Sequence, residues 1–200
     1  MKVSNLKKYA IGGIVAVLLL TATACKGSEA KKVDRLIRDI GTVTVESKES
    51  IETAAEAYNE LSDEEKDLVT EYEHLQAARK EYRECLLDAL ESDDLLSQVE
   101  ATVSATMSNY SPKFTLNREE RVLYFEVTSD QDSTDAVLFY PGLSYAFFSV
   151  LENNMCDISS QIYEVTQQYE VDSVVIMHGY YSEWGDLFKI RNGGIVESIL

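Results

Sequence analysis

The sequence predicts an α+β protein: an N-terminal helical hairpin module, then a small antiparallel sheet with helices packed on one face. Three observations carry this. Apolar residues recur at helical spacing between Val33 and Leu90. Val122–Thr128 alternates, with Leu123, Phe125 and Val127 on one side. Asn192-Gly193 separates two short β-prone runs, a strong local signal for a two-residue hairpin. After the helical module the elements follow the order α-β-β-α-α-β-β, which suits an antiparallel sheet with helices on one face.

Taken in order, Val33, Leu36, Ile37 and Ile40 form the first apolar stripe, and Gly41 stands where a helix C-cap wants positive φ. Thr42–Val45 is β-branched and extended in character. Ser47 suits the N-cap of a second helix carrying Ile51, Ala54, Ala55 and Tyr58. Ser62-Asp63-Glu64-Glu65 is a capping box. It is expected to open one long helix with Leu68, Val69, Tyr72, Leu75, Ala78 and Tyr82 on its stripe. Ser92-Asp93-Asp94 marks the join to a helix with Leu95, Leu96, Val99, Val103, Met107 and Tyr110, ended by Pro112. Phe114–Leu116 and Val122–Thr128 read as a hairpin. Ser133-Thr134-Asp135 starts a helix that Pro141-Gly142 is expected to interrupt, and a further helix runs from about Leu143 to Tyr169, with Asp157 as a cap inside it. Ser173–His178 is a β-rich run, and Leu187–Arg191 with Ile195–Ser198 closes the chain as a hairpin.

Composition bounds the function. The 200 residues are 45% apolar and 26% charged, with 9 Gly and 2 Pro, which is ordinary for a globular protein. Eighteen Lys and Arg stand against 35 Asp and Glu, a net charge of −17, which argues against a nucleic-acid binder.

Residues 1–25 read as a targeting segment. Lys2, Lys7 and Lys8 precede a largely apolar run from Tyr9 to Leu20, and small residues lead to Cys25. The run is short for a membrane-spanning helix, which needs about 20 residues. Thr21-Ala22-Thr23-Ala24-Cys25 resembles the lipobox of bacterial lipoproteins, with Ala22 where Leu is usual. The resemblance implies that Cys25 becomes the lipidated N-terminus, placing the chain outside the cytoplasm and on the membrane. Removing the three lysines takes 18 basic residues to 15 against 35 acids, a net −20. Anionic lipid repels such a body, so acyl chains must hold it. The expected organisation is a leader over 1–25, a short tether over 26–32, a helical spacer module over 33–91 and an α+β domain over 92–200. Cys85 and Cys156 then remain. They can pair outside the cell, but no C-x-x-C spacing marks a redox or metal site, and two buried free thiols is the favoured reading.

Two resemblances extend this reading. Residues 33–82 are similar to a helical module that recurs in surface and lipid-anchored proteins of Gram-positive bacteria. The matching residues are Ile40-Gly41, Val43-Thr44, Ser47, Ile51, Ala57-Tyr58, Leu61, Lys66, Leu68-Val69, Leu75, Ala78 and Tyr82. The resemblance implies a stalk, spacer or accessory role and no catalytic residue. Residues 94–200 resemble, in layout, domains of uncharacterised Gram-positive lipoproteins, through VLYFEVT, DISSQIYEVTQQYEVDSVVI and LFKIRNGGIVES. No residue role follows from that likeness.

Few residues of the chain suggest chemistry. His74 lies in Glu71-Tyr72-Glu73-His74, a solvated helix face, and His178 ends a strand beside Gly179 with no partner visible in the sequence. No cluster of His and Cys suits zinc. G-x-S-x-G, a P-loop and G-x-G-x-x-G are absent. Asp130–Asp135 begins like a calcium loop, but Asp135 and Pro141 stand where Gly and Glu are needed. Two aromatic clusters remain. Phe139, Tyr140, Tyr145, Phe147 and Phe148 bracket Pro141-Gly142 and read as core. Tyr180, Tyr181 and Trp184 occupy a Gly-flanked turn and divide evenly between core and a contact surface. The expected function is a lipid-anchored, non-enzymatic interaction or ligand-binding module, with an envelope protein or glycan as partner and no cofactor. A structural spacer is the alternative, and a carboxylate hydrolase the least favoured.

Overall fold

The computed structural model describes residues 27–107, 110, 112–132, 134–135, 141–181 and 185–198, with residues 106 and 141–148 as backbone only. The leader with Cys25, Trp184 and the side chains around Pro141-Gly142 lie outside the described residues. The fold is α+β. The chain forms two compact units, which divide between Cys85 and Leu86.

The first unit is helical. Helix α1 spans 27–39, so the expected tether is already helix. Its stripe of Ala30, Val33, Ile37 and Ile40 is buried, and Gly41 takes φ +63° just past its end, as the C-cap reading predicts. Helix α2 (Lys48–Asn59) buries Ile51, Ala54 and Ala55. Ser47 does stand at its N-cap position, but its Oγ accepts from Thr44 N–H at 3.0 Å instead of from the helix.

The capping box forms where expected, with Glu65 Oε2 accepting from Ser62 N–H at 3.0 Å. The helix it opens does not run on. Helix α3 is four residues, Asp63–Lys66, and α4 begins afresh at Tyr72 and ends at Glu91. Leu68, expected on the buried stripe, is 50% exposed. The break has a physical cause in α1. Asp34, only 6% exposed, accepts from Thr70 N–H at 2.9 Å, Glu71 N–H at 3.0 Å and the Thr70 hydroxyl at 3.1 Å. A buried carboxylate thus satisfies the amides of the two residues before α4, which in a continuous helix would already be bonded to carbonyls four residues back.

The second unit carries helix α5 (Asp94–Thr106), strands β1 (Lys113–Asn117) and β2 (Val122–Thr128), helix α6 (Pro141–Thr166), β3 (Asp172–His178), β4 (Asp186–Arg191) and β5 (Gly194–Ser198). Asp93 caps α5 by accepting from Leu95 and Leu96 N–H. The expected interruption at Pro141-Gly142 involves residues 136–140, which lie outside the described residues. Pro141 is the first residue of α6, where its fixed φ and missing N–H cost nothing. Asp157 lies inside α6 and caps nothing.

The five strands are ordered β1-β2-β3-β4-β5. The sheet is not wholly antiparallel as expected: β2 and β3 pair in parallel from Val122↔Asp172 to Thr128↔His178, while the other three pairs are antiparallel. A parallel pair needs a long crossover, and α6 lies within it. One sheet face buries Leu123, Phe125, Val127, Val175, Met177, Phe188 and Ile190 with Leu96 and Val103 of α5 and Met155, Ile162 and Val165 of α6. The other face holds a smaller cluster of Val122, Val174 and Ile176 with Tyr124 packed against it. Central β3 is therefore apolar on both sides, which explains its unbroken Val174-Val175-Ile176-Met177 run.

The closing turn uses Asn192 at φ +50° and Gly193 at φ +82°. The positive φ favours glycine, and a Cβ on Gly193 would lie 2.2 Å from Ser160 Oγ, which would have to turn away. Cys85 and Cys156 are free thiols, half-buried rather than fully buried.

Two outcomes follow. Asp34→Ala should destabilise the protein by about 1–3 kcal/mol in urea unfolding followed by circular dichroism, because two backbone amides and a hydroxyl lose their acceptor. The second concerns Tyr169, whose hydroxyl donates to Asp93. This bond holds the Asp93 carboxyl below its ordinary range and pushes Tyr169 up to about 12. A depressed carboxyl stabilises the fold above its unfolded value of about 3.9, and that contribution is lost as pH falls through the folded value. The Tyr169 contribution is present below about 10 and lost as pH rises towards 12. Tyr169→Phe should therefore lower stability at pH 7 by no more than about 1 kcal/mol, given solvent screening. The gap from wild type should close as pH falls from 4 to about 2 in urea titrations.

Candidate functional site

The parallel β2–β3 pair ends at Thr128 and His178, which sit side by side in register. Strand β4 returns with Asp186 opposite His178, and the register shifts between Met177 and His178. Such a shift bends the strand and re-aims the side chains beyond it. His178 Nδ1 lies 2.7 Å from Asp186 Oδ1, and its Nε2 lies 3.5 Å from Glu126 Oε1 on β2. Lys113 on β1 reaches the other Glu126 oxygen at 3.9 Å. A polar row, Lys113–Glu126–His178–Asp186, thus crosses four strands on the sheet face opposite the main core.

Sequence reasoning left His178 without a partner. Both its carboxylates come from neighbouring strands, 52 residues upstream and eight downstream, and only the pairing register brings them in. Alternation in VLYFEVT puts Glu126 on the face away from Phe125, which is a usable signal once β2 and β3 are known to be neighbours.

The loop after His178 is held from below. Gly179 N–H donates to Gly185 O at 3.0 Å, and Gly185 takes φ +67°. Tyr180 N–H donates to the Oγ1 of fully buried Thr134 at 2.9 Å. Gln131 Nε2 donates to Tyr181 Oη at 3.0 Å. Burial first, then the Asp135 carboxylate, pushes the Tyr181 hydroxyl above its ordinary range. The two rings meet edge to face at 5.1 Å.

The turn cluster therefore splits. Tyr180 is 51% exposed, Tyr181 is half-buried, and Trp184 lies outside the described residues. Beside Tyr180 opens a groove of about 350 Å³ lined by Thr128, His178, Gly179, Gly185 and Asp186.

The groove offers an exposed aromatic face, a hydroxyl, an imidazole and a carboxylate. The two ring nitrogens of His178 point at different carboxylates, so the three side chains do not converge on one point as metal ligands would. Among the described residues no group of three or more His, Cys, Asp or Glu is placed to hold a metal ion. His74 stands apart in the first unit, its side chain 77% exposed and in contact with Glu71.

No family model, curated protein or solved structure matches the chain, so the site is read from its own geometry. Among the described residues no helix is long and apolar enough to cross a membrane.

If the Thr134 bond fixes the turn, Thr134→Val should speed exchange of the Tyr180 amide proton by roughly fivefold. That is the factor expected from a lost hydrogen bond of about 1 kcal/mol. Hydrogen-exchange NMR of this single amide reads it directly.

Proposed function

We propose that this chain is a lipid-anchored extracytoplasmic protein whose second unit is a non-enzymatic binding module, contacting its partner through the turn at 179–181. The observation that carries the reading is Tyr180. Its side chain is half in solvent while its backbone is tied to a fully buried threonine. A large aromatic on a held backbone binds without first ordering a loop, and it is the residue type most often found at interface hot spots.

The neighbouring groove supplies hydrogen-bonding groups of three kinds, hydroxyl, imidazole and carboxylate. With 35 acids in the chain, an acidic polymer would be repelled, so a neutral glycan or an envelope protein without an acidic face suits the site. The anchoring half of the proposal rests on Lys2, Lys7, Lys8, the apolar run and Cys25. The acidic body makes a lipid anchor the reasonable means of membrane attachment.

Crosslinking of the tagged chain in native membranes, with mass spectrometry of the products, tests the first half. Tyr180→Ser should lose the crosslinked partner while changing stability by less than about 0.5 kcal/mol, as a surface substitution does. An unchanged crosslink would reject the turn as the contact surface. Cys25→Ala should release the protein from membranes or leave its leader uncut. A normally processed variant that still partitions with detergent would reject the anchor.

A further inference from the structure

Away from the turn, α5, the end of α4 and the β1–β2 hairpin border an open cleft of about 160 Å³. Five apolar side chains, Leu90, Leu96, Phe114, Leu116 and Leu123, line it together with Glu91, Ser97 and Glu100. Phe114 packs at a tilt on buried Phe125, with ring centroids 4.7 Å apart, so one wall is a held aromatic face.

Glu91 and Glu100 also line the cleft, and they differ in one respect. Glu91 is already engaged, its Oε2 accepting from Arg118 Nη1 at 2.9 Å. Glu100 is half-buried and has no hydrogen-bond or ion-pair partner among the described residues. Burial alone raises its carboxyl above the ordinary range, as expected of a carboxylate facing apolar walls without a cation.

An apolar cavity of about 150 Å³ holds one benzene ring. A carboxylate on its wall with no partner favours a ligand that brings its own positive charge. We propose that this cleft is a binding site for a small aromatic primary amine, with its ring against Phe114, Leu116 and Leu123 and its ammonium on Glu100. A neutral arene would fill the walls and leave the carboxylate unpaired. An aromatic acid would add like charge beside Glu91 and Glu100. A bare inorganic cation would leave the apolar walls wet. The net charge of −17 raises the local concentration of cations of every kind, and the apolar walls then select among them.

The probe is 4-fluorobenzylammonium, titrated by fluorine NMR against the full chain in zwitterionic detergent, with empty micelles as the blank. A ligand of this size should bind with a Kd of about 0.1–1 mM. Glu100→Gln should weaken binding at least tenfold, and Glu91→Gln should change it less than about threefold. Ser97→Phe, a change at an exposed position on the cleft's rim, should block binding by filling it. Folding of Glu100→Gln is checked in the same samples. A raised folded-state value means that the ionised carboxylate costs stability as pH rises above about 4.3. The variant should therefore melt at pH 7 no lower than wild type. Saturable binding lost in Glu100→Gln and Ser97→Phe supports the site. Equal saturation by 4-fluorotoluene, binding untouched by Glu100→Gln, or no saturation by about 10 mM amine overturns it.

Discussion

Seven residues of β2 face seven of β3 in parallel register, and the arrangement of the second unit depends on that pairing. Two parallel neighbours cannot be joined by a tight turn, so the chain must leave the sheet and come back. The 26 residues of α6 lie on that return path, and they bring Met155, Ile162 and Val165 onto the face that carries Phe125, Val127, Val175 and Met177. The same register sets the carboxyl ends of both strands side by side. Glu126 and His178 then share a face, and β4 adds Asp186 on the far side of the histidine. Core and polar row are two consequences of one alignment, since a slip of one residue would exchange the faces.

The helix starts in the two units use carboxylates in contrasting ways. Asp93 caps α5 from the adjacent position and is itself held by Tyr169, far along the chain. Asp34 takes the amides of Thr70 and Glu71, the two residues before α4, from 36 and 37 residues away. In both cases an acidic side chain meets backbone donors that water would otherwise have to satisfy. The same use of charge recurs at the sheet's end. Arg191, then Asn192, hold the Asp172 carboxyl below its ordinary range, while Arg121 Nη2 donates to Tyr169 O at 2.6 Å. In a chain with so many acids, those with structural roles are the ones aimed at backbone amides or at one of the few arginines.

Much of this was legible beforehand where the signal was local. The apolar stripe of α1, Gly41 at its end, Asp93 before α5, the alternation of β2 and the Asn192-Gly193 turn all act within a few residues, and each stands where its chemistry predicts. The misreadings share a different origin. The stripe of Leu68, Val69 and Tyr72 looked continuous with Leu75, because periodicity cannot register a distant Asp34 taking the amides of Thr70 and Glu71.

The sequence by itself determined the α+β class, most element positions and the positions of Tyr180 and Tyr181 in a turn, because helix period, strand alternation and turn chemistry are properties of neighbouring residues. Tertiary structure alone decided that β2 and β3 run parallel, that His178 sits between Glu126 and Asp186, and that Glu100 shares a cleft with five apolar side chains and, among the described residues, no cation partner. Those facts depend on register and packing between segments tens of residues apart, where the free energy lies in which surfaces meet and not in the local preference of either.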